Sequence, residues 1–116
     1  MTFEASFDYG GGTDAAKTQT VTIATGVATV TALTPVVVLA AESSTTDQLD
    51  TLTVANVSAG DTVILVADTG DTITVDDANI DLASASRAIA PGGSLGLRYD
   101  GTSWVELYFT AAADNA

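Results

Sequence analysis

Carboxylates are the side chains best able to do chemistry in this 116-residue chain, because it contains neither histidine nor cysteine. Four oxygen-bearing side chains fall together in the segment DDANID: Asp76, Asp77, Asn79 and Asp81. Hard oxygen ligands in a loop can bind calcium. However, the segment has neither the DxDxDG loop that ends in a bidentate Glu nor a GGxGxD repeat. The pattern therefore favours solvated turns, with Asp68 and Asp71 in another turn upstream, and predicts no metal site.

The composition also argues against an enzyme. Without His or Cys there is no Ser–His or Cys–His nucleophile, no thiolate or imidazole metal centre and no disulfide. Paired carboxylates hydrolyse glycosides, but a glycosidase of this length would be unusual. The glycines at 10–12 lack the Lys and Ser/Thr of a phosphate-binding loop, and Pro91-Gly92-Gly93 is not set between a strand and a helix. We predict no catalysis and no cofactor.

The charge excludes two classes of partner. Three basic residues face 15 acidic ones, so the formal net charge is −12. A nucleic-acid binder needs clustered cations, whereas Lys17, Arg87 and Arg98 stand far apart in the sequence. An anionic membrane surface would repel the chain, and no apolar run approaches the ~20 residues of a spanning helix. The first residues lack the features of a secretory signal, and we expect Met1 to be the true start.

The sequence pattern predicts that the secondary-structure elements carrying these side chains are β-strands. Thr and Val suit a pleated surface, and turn residues recur about every 8–12 positions. We therefore predict an all-β fold, a small antiparallel β-sandwich or barrel-like domain over residues 20–116. A hairpin is expected across residues 20–33. The runs 36–39 and 62–67 are apolar on both faces, which places each between two layers or against another subunit.

Residues 1–19 are predicted to form an extended N-terminal arm with a glycine-rich hinge. Large aromatic residues precede the hinge, and the glycines decouple the arm from the β-domain. The arm then either packs back on its own domain or anchors on a neighbour, and we favour the neighbour. The residues assigned to this contact are Phe3, Phe7, Tyr9, Gly10, Gly11 and Gly12.

The last hairpin, residues 94–109, is the most informative segment. A three-residue loop with Gly101 in a bulged turn would put the aliphatic residues, among them Leu97 and Val105, on one face. The opposite face would then point outward and mark a contact surface. A two-residue loop would instead put Trp104 beside Leu97 on the core face and split the apolar set, and we favour the bulged turn because it separates the two sets. The residues predicted for this subunit or partner interface are Arg98, Trp104, Glu106 and Tyr108.

The segment from about residue 20 to residue 109 resembles a module of tailed-phage virion proteins: capsid decoration (cement) proteins, head fibres and tail-fibre segments. The resemblance rests on D47-x-L49-D50-T51-L52, G60-D61, N79-I80 and Y99-D100-G101-T102-x-W104-x-E106. It implies a β-domain that assembles as a trimer and has an adhesive structural role without catalysis.

The resulting hypothesis is a capsid decoration protein on the outer surface of the viral head. It would bind the major capsid protein and other copies of itself, and its arm would help to bridge capsid subunits. The alternative is a fibre or receptor-binding domain that recognises host glycans through Tyr99, Trp104 and Tyr108, because aromatic rings stack on sugars.

Overall fold

A computed structural model describes residues 17–76 and 78–111 of the chain. These residues form eleven strands and no helix, which confirms the all-β prediction. The strands are β1 (Thr18–Thr22), β2 (Val27–Val30), β3 (Val36–Ala40), β4 (Thr46–Leu49), β5 (Thr51–Val54), β6 (Thr62–Ala67), β7 (Thr72–Asp76), β8 (Ile80–Asp81), β9 (Ser86–Ile89), β10 (Ser94–Tyr99) and β11 (Trp104–Thr110). Strand β1 thus begins inside the segment that the sequence assigned to the arm.

The strands form three sheets in the orders β1-β3-β6-β10-β11-β8, β9-β7-β4 and β2-β5. Of the eight pairings between described strands, five are parallel: β1–β3, β3–β6, β2–β5, β4–β7 and β8–β11. The prediction of an antiparallel sandwich or barrel-like domain was therefore wrong in its pairing, and the sheets do not close into a barrel. Successive coils of chain stack in register, as in a β-solenoid, and antiparallel strands β9 to β11 follow.

Corners replace the hairpin predicted for residues 20–33. Strands β1 and β2 are joined only by one isolated bridge, in which Ala24 and Val27 exchange backbone hydrogen bonds of 2.9 and 3.0 Å. Thr25 and Gly26 between them both have positive φ, at 51° and 80°. This tight turn redirects the chain after one residue pair, so β1 pairs in parallel with β3 instead.

The core lies inside the coils because alternate side chains of the strands point inward. Val37 and Leu39 on β3 are fully buried, as are Leu65 on β6 and Leu95 on β10. The intervening residues of β3, Val36 and Val38, are half-buried. A single copy of the chain therefore covers only one face of β3 completely, and the expectation that β3 lies between two layers of the same chain was wrong.

Asn79 joins the two-stranded sheet to the six-stranded sheet. Its side-chain amide donates to the Leu52 carbonyl at 2.7 Å, and its side-chain oxygen accepts the Leu52 N–H at 3.0 Å. Its own carbonyl accepts the Trp104 N–H at 2.9 Å. The side chain thus satisfies the N–H and C=O of Leu52 as a residue of a neighbouring strand would. The segment singled out as a candidate calcium loop contains a structural bridge.

The last hairpin differs from its predicted register. Tyr99 pairs with Trp104, so the loop has four residues, and the Asp100 N–H donates to the Ser103 carbonyl at 2.9 Å. The bulge lies further along β11, where Leu107 is the unpaired extra residue. Trp104 therefore points into the core, with 1% of its surface exposed. The prediction that Trp104 faces outward was wrong.

Candidate interaction surface

Most carboxylates for which the structure gives contacts hold loop backbone instead of forming a site. Asp71 accepts the Ala41 N–H at 2.9 Å, and Asp61 accepts the Ser58 N–H at 2.9 Å. Asp100 accepts the N–H groups of Thr102 and Ser103, and these bonds lower its pKa below the usual range. Asp76 accepts from the Gln48 side chain at 2.6 Å, and Asp77 lies outside the described residues. Across residues 17–76 and 78–111 no three acidic side chains are arranged to hold a metal ion.

Glu106, predicted to lie at an interface, is bound to Arg87 of the same chain. Two charge-assisted hydrogen bonds of 2.9 and 3.1 Å join the side chains, and the Ala83 N–H donates to the same carboxylate at 3.1 Å. Its side chain is 7% exposed, and the hydrogen bonds from Arg87 lower its pKa. The guanidinium also lies 4.9 Å from the ring centroid of Phe109. This cluster ties β9 to β11.

The four predicted interface residues are thus divided by the bulge. Trp104 and Glu106 point inward, and Tyr99 packs on Trp104 with ring centroids 5.1 Å apart. Arg98 and Tyr108 are exposed. The Tyr108 ring lies over Gly96, where an added Cβ would collide with it. Only Arg98 and Tyr108 remain available to a partner, and the glycan-binding alternative loses its tryptophan.

Arg98 and Tyr108 belong to a larger surface, which we call the acid-free face. It consists of the outward side chains of β1, β3, β6, β10 and β11, none of which is a carboxylate. On this side of the sheet Asp81 stands apart, at the far edge on β8. The apolar members of the face are Val36, Val38, Ile64, Val66, Val105, Leu107 and Tyr108.

The strand register makes this surface continuous. Thr18, Val36, Ile64 and Gly96 form one row across four neighbouring strands, and Tyr108 completes it. Five strands about 4.8 Å apart and five residues long give a face of roughly 400 Å². Threonines and Arg98 contribute part of this area, and exposed apolar patches of a few hundred Å² often mark interaction sites. Interface centres are depleted in charge, so a face without carboxylates on a chain of charge −12 fits an interface.

The sequence contains a second indication of this surface, which the prediction of the interface residues missed. Between Asp14 and Glu42 there is no acidic residue, although the chain has 15 in total. This stretch forms β1, β2 and β3, so none of these three strands carries a carboxylate, although Glu42 lies at the corner between β1 and β2 and accepts the Thr25 N–H at 3.0 Å. A count of acidic residues along the chain would have found it, whereas attention to individual aromatics did not. The arm residues assigned to partner binding, Phe3, Phe7, Tyr9 and Gly10–Gly12, lie outside the described residues.

Comparison of the chain with protein-family models, with curated proteins and with solved structures finds no match. A search of the described residues for a helix long and apolar enough to cross a membrane also finds none.

Proposed function

We propose that this chain is a virion structural protein of the capsid decoration type, which binds the outer surface of a tailed-phage head through its acid-free face. The observation that carries the proposal is the exclusion of carboxylates from one partly apolar sheet face of a strongly acidic chain. The resemblance of residues 20–109 to phage virion modules supplies the class of partner. Its partners are the major capsid protein and other copies of itself, and no catalysis is assigned.

The size of the face explains why such a protein would act in many copies. A standard stable interface buries about 800 Å² on each partner, about twice the roughly 400 Å² of this face. One copy would therefore hold weakly by this surface alone. Repeated copies on a symmetric shell, or a second contact through the residues of the predicted arm, would raise the overall affinity without a larger face. Outside the contact, the carboxylates would give the particle a negative surface that resists aggregation.

The proposal is tested by sedimenting the purified chain with heads of the phage that encodes it. Val38→Glu places a carboxylate in the middle of the acid-free face, between Thr20 and Val66. Burying this unpaired charge should weaken binding by about tenfold or more. Thr53→Glu is the matched control, since Thr53 is an exposed threonine on β5 in a different sheet.

The expected result is that Thr53→Glu cosediments like the parent while Val38→Glu stays in the supernatant, both variants giving the parent's circular dichroism spectrum. Equal binding by the two variants would reject the assignment of the face. Immunogold labelling of intact particles tests the location separately: label on the head supports the proposal, and label confined to tail fibres rejects it.

A further inference from the structure

The outer edge of β1 carries backbone groups that the described residues do not pair. The Lys17 carbonyl accepts the Val36 N–H at 3.1 Å, and the Ile23 N–H donates to the Ala40 carbonyl at 3.0 Å. The backbone N–H and C=O groups of the odd-numbered residues of β1 therefore point toward β3. In an extended strand the N–H and C=O of one residue point to the same side, so Thr18, Thr20 and Thr22 direct theirs away from β3. No strand of the described part of the chain lies on that side of β1.

This edge lacks the usual features that prevent pairing with another chain. Natural edge strands are protected by charges, prolines or bulges, whereas β1 reads TQTVT and pairs regularly with β3. The nearest carboxylates in the sequence are Asp14 before β1 and Glu42 after it. Two copies of a chain with charge −12 repel one another on most approaches. Strand β1 itself carries no carboxylate, so it is an edge at which two copies can meet without placing acidic side chains directly opposite one another.

We propose that two copies of this chain pair through their β1 edges, antiparallel and with Thr20 on the two-fold axis. In this register Thr18 lies opposite Thr22 of the second copy, and Thr20 lies opposite Thr20. All three are hydrogen-bonded pairs, so the outward N–H and C=O groups of both strands are satisfied. The directly opposed side chains are threonines, and Thr–Thr pairs are favourable across antiparallel strands. The strand is therefore complementary to itself.

The pairing would join the two acid-free faces into one surface. A two-fold axis perpendicular to the sheet keeps both faces on the same side, so the area doubles to roughly 800 Å², which is the size of a standard interface on one partner. The self-pairing does not depend on the capsid proposal, and its test uses the purified chain alone.

A cysteine scan gives the register directly, because the chain has no cysteine of its own. Opposite residues of a hydrogen-bonded pair have Cα atoms about 5.5 Å apart, within the range that a disulfide spans. Thr20→Cys should therefore form a covalent dimer under mild oxidation. Thr18→Cys and Thr22→Cys should cross-link when mixed but not separately. Thr53→Cys, the exposed control on β5, should form no covalent dimer.

A proline at the same position tests the backbone bonds. Thr20→Pro removes an N–H that no described residue accepts, and proline is tolerated at such edge positions. In sedimentation equilibrium the parent should reach twice its mass of 11.7 kDa, and Thr20→Pro should dissociate at least about tenfold more readily while Thr20→Val does not.

A parent chain that stays monomeric overturns the inference. So does a trimeric mass, a Thr53→Cys variant that cross-links as readily as Thr20→Cys, or protection of the Thr18, Thr20 and Thr22 amides from hydrogen exchange in a monomer. The last result would show that another segment of the same chain occupies the edge. The cysteine result decides the question even if Thr20→Pro does not fold.

Discussion

Removal of the Asn79 side chain is the sharpest test of the fold, because Asn79 connects two sheets and its side chain makes both hydrogen bonds to one of them. Asn79→Ala deletes both hydrogen bonds to Leu52 and leaves the Leu52 N–H and C=O without their partner. Each lost hydrogen bond contributes about 1 kcal/mol net, and an unsatisfied part-buried group costs about 1–3 kcal/mol. We expect the free energy of unfolding to fall by about 2–4 kcal/mol, against a total of roughly 5–15 kcal/mol for a domain.

The assay is urea denaturation followed by tryptophan fluorescence, since Trp104 is the chain's one tryptophan and its N–H bonds to the Asn79 carbonyl. Asn79→Asp sharpens the test. The ionised Asp accepts the Leu52 N–H but cannot donate to the Leu52 carbonyl, so this variant should also lose stability at neutral pH. Protonation restores a donor, so the gap between Asn79→Asp and the parent should narrow as the pH falls. A loss below about 0.5 kcal/mol for Asn79→Ala would refute the bridging role.

Two further predictions concern β10 and β11. Glu106 has a lowered pKa in the folded state, so its contribution to stability is present above the unfolded pKa, near 4.5, and is lost as the pH falls through the folded value. Glu106→Gln should lower the free energy of unfolding by about 2 kcal/mol at pH 7, and urea melts should show a weaker dependence of stability on pH in this range. An unchanged pH dependence would contradict the pairing of Glu106 with Arg87. Gly96→Ala should displace the Tyr108 ring and lower the free energy of unfolding by about 1–3 kcal/mol. In the control Gly70→Ala the new methyl group meets no atom, so stability should fall only by the cost of a positive φ at alanine. Equal melting curves for Gly96→Ala and the parent would show that the ring does not cover Gly96.

The parts of the fold that were predictable came from local patterns. Alternating Thr and Val predicted the strands, and a turn was expected at Asp68–Asp71, where the Asp71 N–H now donates to the Asp68 carbonyl. Strand pairing was not predictable in the same way, because a parallel partner lies many residues away. Val36 pairs with Thr18 and Ile64, and neither partner leaves a local mark in the sequence. The hairpin rule therefore gave an antiparallel fold.

The candidate surface was predicted only in part, for a reason that lies in one residue. Leu107 is the extra residue of a bulge, so inward positions on β11 shift from even to odd numbers between Glu106 and Phe109. A strict alternation of period two cannot anticipate this shift. The prediction therefore placed Trp104 on the outer face and Val105 on the core face, whereas the structure has them the other way round. Arg98 and Tyr108 were assigned to the outside correctly. The rest of the acid-free face could be assembled only once the register of β1, β3 and β6 was known.

The central claim is that the acid-free face is the surface by which this chain binds an assembly. An electron cryo-microscopy reconstruction of phage heads saturated with the purified chain tests it most directly. The account predicts density in which β3 and β6 lie against the capsid and the carboxylate-bearing corners point to solvent. Bound copies that turn those corners toward the head, or heads that carry no copies, would contradict it.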